Sequence, residues 1–251
     1  MREYRRQGAP KWLTGLGKNP DFAFVLVQGN NPDIDKLSTP EDVWSGGGTY
    51  PGFPIGAANE TLSLVSTSAS DTGTVTITGL KSVESVEEDV ETITLNGLTP
   101  VTTTSTWYRV RQGIYQSSTG NVNAGNISCN YSTTTSTIFF NILAGDGRSY
   151  EGVMTVPKDK YGLLLNTSLS VQITAGSSDY ATARLYMIPY GGSPVFTTKN
   201  FNNTYSQGGV DLVVPSRLEP LTDVASRVVA VSANNLSASF WAEYLISPKE
   251  I

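Results

Sequence analysis

Residues 60 to 98 read ETLSLVSTSASDTGTVTITGLKSVESVEEDVETITLNGL, and polar and apolar positions alternate through much of this stretch. Thr74, Thr76 and Thr78 enclose Val75 and Ile77, and Thr92 and Thr94 alternate with Ile93 and Leu95. A period of two marks a strand with one wet face and one buried face. Gly79 and Asn96-Gly97 end the runs, where tight turns call for positive φ. The same pattern predicts strands at Leu62–Ser66, Trp107–Tyr115, Gly125–Tyr131, Thr137–Ile142, Glu151–Val156, Leu163–Ile173, Thr182–Pro189, Val195–Phe201, Val210–Val214, Ser226–Ala233 and Ala238–Ile246. No amphipathic helical pattern of ten residues lies between them. The predicted class is all-β, a jelly-roll-like β-sandwich closed by long-range pairing, and the absence of a fixed repeat argues against a β-helix. In the last run Phe240, Ala242, Tyr244 and Ile246 face one side and Trp241, Glu243 and Leu245 the other. A strand apolar on much of both faces is expected to be central in its sheet or covered by a subunit.

Residues 1–58 read differently. Pro10, Pro20, Pro32, Pro40, Pro51 and Pro54 and the run Gly46-Gly47-Gly48 leave one convincing strand, Phe22–Val27. Prolines so spaced prevent a long helix or a central strand. Trp12, Phe22, Phe24, Trp44, Tyr50 and Phe53 are nevertheless too many aromatics for a solvated tail. Residues 1–58 are therefore expected to form an extended, mostly irregular arm that docks on neighbours or on the body and lies outside the body's core. The body is expected to span 59–251.

Composition narrows the chemistry. Ser and Thr make 56 of the 251 residues and charged residues only 16%, a balance suited to neutral β surfaces. A chain of this length buries roughly 70–75% of the surface its open form exposes, enough for a core without staples. There is no histidine, so a serine or cysteine nucleophile lacks the usual imidazole base. The single cysteine, Cys129, excludes an intrachain disulfide and multi-cysteine metal sites, and in NISCNYS it reads as a small interior side chain. A net charge of −5 argues against nucleic acid as the main ligand. The first twenty residues have no apolar core of signal-peptide length, and no stretch has the length of a membrane span. Sequons begin at Asn59, Asn126, Asn130, Asn166, Asn202 and Asn235, which a chain this rich in Asn, Ser and Thr produces by chance.

Motifs for a cofactor or metal are missing. Gly46-Gly47-Gly48 has no following Lys-Ser/Thr or helix and reads as a flexible bend, and DIDK and AGDGRS do not reach calcium-loop spacing. Two facing acids would suffice for glycoside hydrolysis, but Asp33, Asp35, Asp146 and Asp179 sit in turn-like contexts where Asp is favoured anyway. The acidic cluster Glu84, Glu87, Glu88, Asp89 and Glu91 stands against a basic segment with Arg2, Arg5, Arg6, Lys11 and Lys18. These opposite poles would either join adjacent copies or be a solvated loop and tail.

The segments NPDID (31–35), DVWSGGGTYPGFP (42–54), STSASDTGTVTITGL (66–80) and ETITLNGLTPV (91–101) resemble virion structural proteins of tailed bacteriophages. YRV (108–110), NAGNI (123–127), VMTVPKDKYG (153–162) and RLYMIPYGG (184–192) continue the resemblance, which spans nearly everything after residue 30. It implies a β-rich component displayed in many copies on a capsid or tail.

The expected function is that of a non-enzymatic virion protein, a capsid decoration or cement subunit, made in the host cytoplasm and without cofactor or metal. Its partners would be the major capsid protein or tail and connector proteins, and copies of itself as a homo-oligomer, with a trimer suggested by the resemblance alone. Neither nucleic acid nor membrane is expected as a partner. Attachment and self-contact are assigned to Arg5, Arg6, Trp12, Phe22, Phe24, Trp44, Tyr50, Phe53, Trp241 and Leu245. The alternatives are a tail or head–tail adaptor component, a short fibre using Tyr180, Tyr190 and Tyr205 to touch the host, and a carboxylate-based glycan depolymerase.

Overall fold

The structure, a computed structural model, describes residues 22–36, 40–53, 59–118, 120–133, 137–172, 180–202, 206–234 and 236–247. Its described residues form strands and turns. In chain order the strands are β1 (Ala23–Ile34), β2 (Glu41–Asp42), β3 (Glu60–Ser66), β4 (Thr74–Leu80), β5 (Asp89–Thr94), β6 (Val101–Trp107), β7 (Arg109–Gln116) and β8 (Ile127–Tyr131). They continue with β9 (Ile138–Ile142), β10 (Val153–Thr155), β11 (Tyr161–Gln172), β12 (Tyr180–Ile188), β13 (Val195–Asn202), β14 (Ser206–Leu218), β15 (Asp223–Val231) and β16 (Leu236–Ser247).

Two sheets build a first sandwich, one ordered β1-β16-β11-β14 and the other β10-β15-β12-β13, with β2 paired to β15. Leaving out the short β2 and counting its strands along the chain from one to eight, the orders are 1-8-3-6 and 2-7-4-5. This is the jelly roll, in which each sheet pairs strands distant in sequence. Val27, Leu164, Phe240, Ala242 and Tyr244 from one sheet meet Ala181, Ala183, Val224 and Val228 from the other in its core. The final strand is central, between β1 and β11, as its two apolar faces require.

A second sandwich, β6-β3-β8-β9 against β5-β4-β7, is inserted between β2 and β10. Val75 and Ile77 are buried with Leu62, Leu64, Trp107, Cys129 and Phe140, while Thr76 and Thr92 pair their hydroxyls at 3.2 Å on the wet face. The period-two reading therefore holds residue by residue. Gly79 does not end β4 in a turn. It lies inside the strand at a register shift against β7, where a Cβ would stand 2.2 Å from the Arg109 carbonyl oxygen, so the close approach requires glycine. Gly97 does take φ 57 as its turn demands.

The expectation of an arm outside the core is corrected for the described residues 22–36 and 40–53. β1 pairs with β16 from Ala23↔Ile246 to Ile34↔Leu236, carrying Pro32 at the free edge of the sheet where a missing N–H is tolerated. Trp44 and Tyr50 are 2% and 5% exposed and form a third cluster with Val153 and Ala225. The break in the fold therefore falls between the two sandwiches and not at residue 58.

Candidate functional site

The two sandwiches meet in a polar junction assembled from side chains far apart in the chain. Arg109, at the start of β7, sends Nε and Nη2 to the two carboxylate oxygens of Asp223 on β15, at 3.2 and 3.1 Å. Thr155 donates to the same carboxylate at 2.5 Å, and the guanidinium stacks over Tyr108 at 4.0 Å and Phe53 at 5.5 Å. Burial alone would lower the Arg109 pKa, but Asp223 outweighs it and holds the cation. Beside this pair the Tyr50 hydroxyl donates to the Phe139 carbonyl at 3.0 Å, and burial followed by the proximity of Glu151 raises its pKa well above that of a free phenol.

The Gly-rich turn is ordered by its neighbours. Gly47 and Gly48 take φ 68 and 65. The Gly48 amide donates to Glu41 and its carbonyl accepts the Trp44 indole N–H at 3.1 Å. Asp42 receives Arg227 through both of its oxygens and the Tyr50 amide at 2.7 Å. The glycines are thus parts of a clasp around the buried Trp44, which corrects the reading of a flexible bend.

A second clasp closes one end of the inserted sandwich and joins three of the motif segments. Asp71 accepts the Ser66 hydroxyl and the amides of Ala124 and Gly125, and its carbonyl accepts the Gly97 amide. Asn123 donates to the carbonyls of Gly125, Ile142 and Leu143, while its oxygen accepts the Gly147 amide. The segments at 66–80, 91–101 and 123–127 hold polar residues because the backbone of these loops needs partners.

Of the expected contact residues, Arg5, Arg6 and Trp12 lie outside the described residues. Phe22 lines a cleft of about 360 Å³ with Val25, Val86, Met154 and Lys160. Trp44 and Tyr50 are interior, and Phe53 packs edge-on against Tyr50 at 5.0 Å. They hold the fold together rather than present a surface. Trp241 and Leu245 project from the face of β16 opposite the core, in register with Gln28 and Phe24 of β1 and with Ser168 and Leu163 of β11. On this outer face Phe24 is 37% and Leu26 43% exposed, Trp241 is half-buried, and Leu245 is covered. Tyr180 and Tyr190 are exposed, and Tyr205 lies outside the described residues.

The acidic cluster is largely engaged within the chain. Glu84 pairs with Lys158, Glu88 with Arg111 at 2.7 Å and Asp89 with Lys81 at 3.4 Å, while Glu91 accepts the amides of Thr104 and Ser105. The pole read from composition is mostly neutralised locally, a feature invisible without the fold. Sequence reasoning missed Arg109, Asp223 and Glu151 altogether. Isolated charges inside strand-like runs were the one available signal.

No protein-family model matches the chain, and no curated protein matches it. Among solved structures it is similar to the infectious bursal disease virus VP2 subviral particle, at 11% identity over 90% of this chain and 72% of that one, with a TM-score of 0.27. The Gt strain of the same virus gives 12%, 90%, 72% and 0.25, and the Gx strain 11%, 92%, 73% and 0.29. At these scores the likeness adds nothing to the strand order derived above.

Proposed function

We propose that this chain is a non-enzymatic structural protein of a virion, and within that class a capsid decoration or cement subunit of a tailed phage. The observation that carries the reading is the strand order: a complete jelly roll with a second sandwich set between β1 and β10. Jelly rolls recur in capsid proteins and in lectins, and a fold alone does not fix a function. What favours the capsid role is the use made of the polar residues. Asp71, Asn123, Asp42, Asp223 and Arg109 are spent on holding loops and sandwiches together, and all of them but Asp223 lie in the motif segments that resemble phage virion proteins.

The apolar stripe of Phe24, Leu26 and Trp241 on the outer sheet supports contact with sister copies or with the capsid. A homo-oligomer follows from that stripe, and a trimer from the resemblance alone. Tyr180 and Tyr190, exposed on the first sandwich, support the second reading of a tail or fibre component that touches the host surface. The test is the place of the chain in a density map of the intact particle. Paired sandwiches on the capsid exterior are expected; a particle without the chain overturns the proposal, and density on the tail selects the second reading.

A further inference from the structure

Glu151 stands where both sandwiches and the Trp44 turn converge. Its backbone bridges Gly29 of β1, and its carboxyl reaches Ser45 beside Trp44 and the Asn141 amide on β9. The close approach is made by two glycines: a Cβ on Gly29 would meet the Val43 carbonyl oxygen at 2.3 Å and the Gly152 Cα at 2.7 Å, and Gly152 takes φ 61. The side chain is 1% exposed.

Proton counting at this site points to a neutral carboxyl. The Ser45 hydroxyl owns one proton, and the Asn141 carbonyl, 2.7 Å away, can only accept it. The 3.2 Å contact between the same hydroxyl oxygen and Glu151 Oε1 is then a hydrogen bond only if the carboxyl supplies the proton. Oε2 is buried with no hydrogen-bond partner, which a carboxylate tolerates far less well than a neutral acid. The charged and titratable groups around it offer no compensation. Arg109 of β7 is engaged by Asp223 of β15, Arg148 stacks over Tyr150, and Tyr50 and Cys129 bring no positive charge, a charged Glu151 only opposing their own ionisation.

We propose that Glu151 is a protonated latch between the two sandwiches, and that its ionisation as pH rises loosens their junction. Burial pushes this carboxyl well above its ordinary range, outweighing the Asn141 amide and the Ser149 hydroxyl, which act the other way. In the unfolded chain a glutamate ionises near about 4.3. The latch therefore contributes fully below that pH, and its contribution declines as pH rises until Glu151 ionises within the fold. Tyr50 and Cys129 act in the same direction only in more alkaline solution, since the thiol of an unfolded chain ionises near about 8.5. The informative window is thus about pH 5 to 8.

Infrared spectroscopy of the full chain at pH 7 in heavy water tests the latch directly. The carbonyl stretch of a protonated carboxylic acid is expected in the wild type, absent in Glu151→Gln, and retained in Asp146→Asn, a control for the other carboxyl that burial raises. The thermal midpoint of the wild type is expected to fall from pH 5 to pH 8 more steeply than that of Glu151→Gln, which keeps the shape without the titration. Equal slopes overturn the proposal. So does a wild-type spectrum without the protonated band, which needs no variant to fold.

Discussion

Arg109 and Asp223, 114 residues apart in the chain, form a two-pronged ion pair at 3.2 and 3.1 Å that crosses from the inserted sandwich to the jelly roll. Their side chains are 5% and 10% exposed, so each charge depends on the other for the solvation it has lost. Removing one partner strands the second. Arg109→Ala and Asp223→Ala are each expected to cost about 3–5 kcal/mol in urea unfolding, and the double variant less than the sum. Additive losses would show that the two groups are not coupled.

The Asp71 clasp has an acid signature. Burial by itself would raise this carboxyl, but the Ser66 hydroxyl and the amides of Ala124 and Gly125 outweigh it and hold its pKa below the ordinary range. A depressed pKa contributes stability that is present above about 3.9, the unfolded value, and is lost as pH falls through the folded one. Asp71→Asn should therefore flatten the acid limb of a stability–pH profile while lowering stability at pH 7 by about 1–3 kcal/mol. An unchanged acid limb would count against the clasp.

Truncation tests the corrected role of residues 22–53. A chain beginning at Glu60 lacks β1, the partner of β16 over most of its length, and lacks Trp44 and Tyr50. It is expected to lose the cooperative thermal transition of the jelly roll. Trp44→Ala alone is expected to cost about 3–5 kcal/mol. A truncated chain that melts cooperatively at the wild-type temperature would restore the view of these residues as a separable arm.

Gly29→Ala probes the close approach beside Glu151. A methyl group there meets the Val43 carbonyl oxygen at 2.3 Å, which is backbone and cannot swing aside. The expected loss is at least about 1–3 kcal/mol, the usual cost of overpacking, seen as a lower thermal midpoint. Gly48→Ala, where a Cβ meets nothing within 4 Å but φ is 65, is the comparison: strain without collision, and a smaller loss.

Self-association through the outer face of the jelly roll is the expectation that light scattering checks. Light scattering at micromolar concentration is expected to give a multiple of the 26.9 kDa chain mass, and Trp241→Ser combined with Leu26→Ser to reduce it. A monomer in both cases would mean that the stripe does not drive self-association.

Much of the fold is legible in the sequence because a strand with one wet face must alternate, as Thr74 to Thr78 do, and a strand apolar on much of both faces, as from Phe240 to Ile246, must be central. β6 escaped notice because it is a sheet edge whose run TTTST needs little burial, so it carries almost no apolar signal. β1 runs beyond the predicted Phe22–Val27 for a related reason: Asn30, Asn31 and Pro32 carry no apolar signal, yet an edge strand accepts all three.

What the sequence determined by itself is the class, the strand faces and the neutral Ser/Thr surface, since these depend on neighbours one or two positions away. Only the tertiary structure decided that each sandwich has its own core, that Trp44 and Tyr50 lie in a third buried cluster, and that the acidic loop is paired at home. It alone brought Arg109 to Asp223 and Glu151 to Ser45. Each of these depends on a contact across tens of residues, where burial turns an ordinary charge into one that must find its partner, and no local pattern encodes that distance.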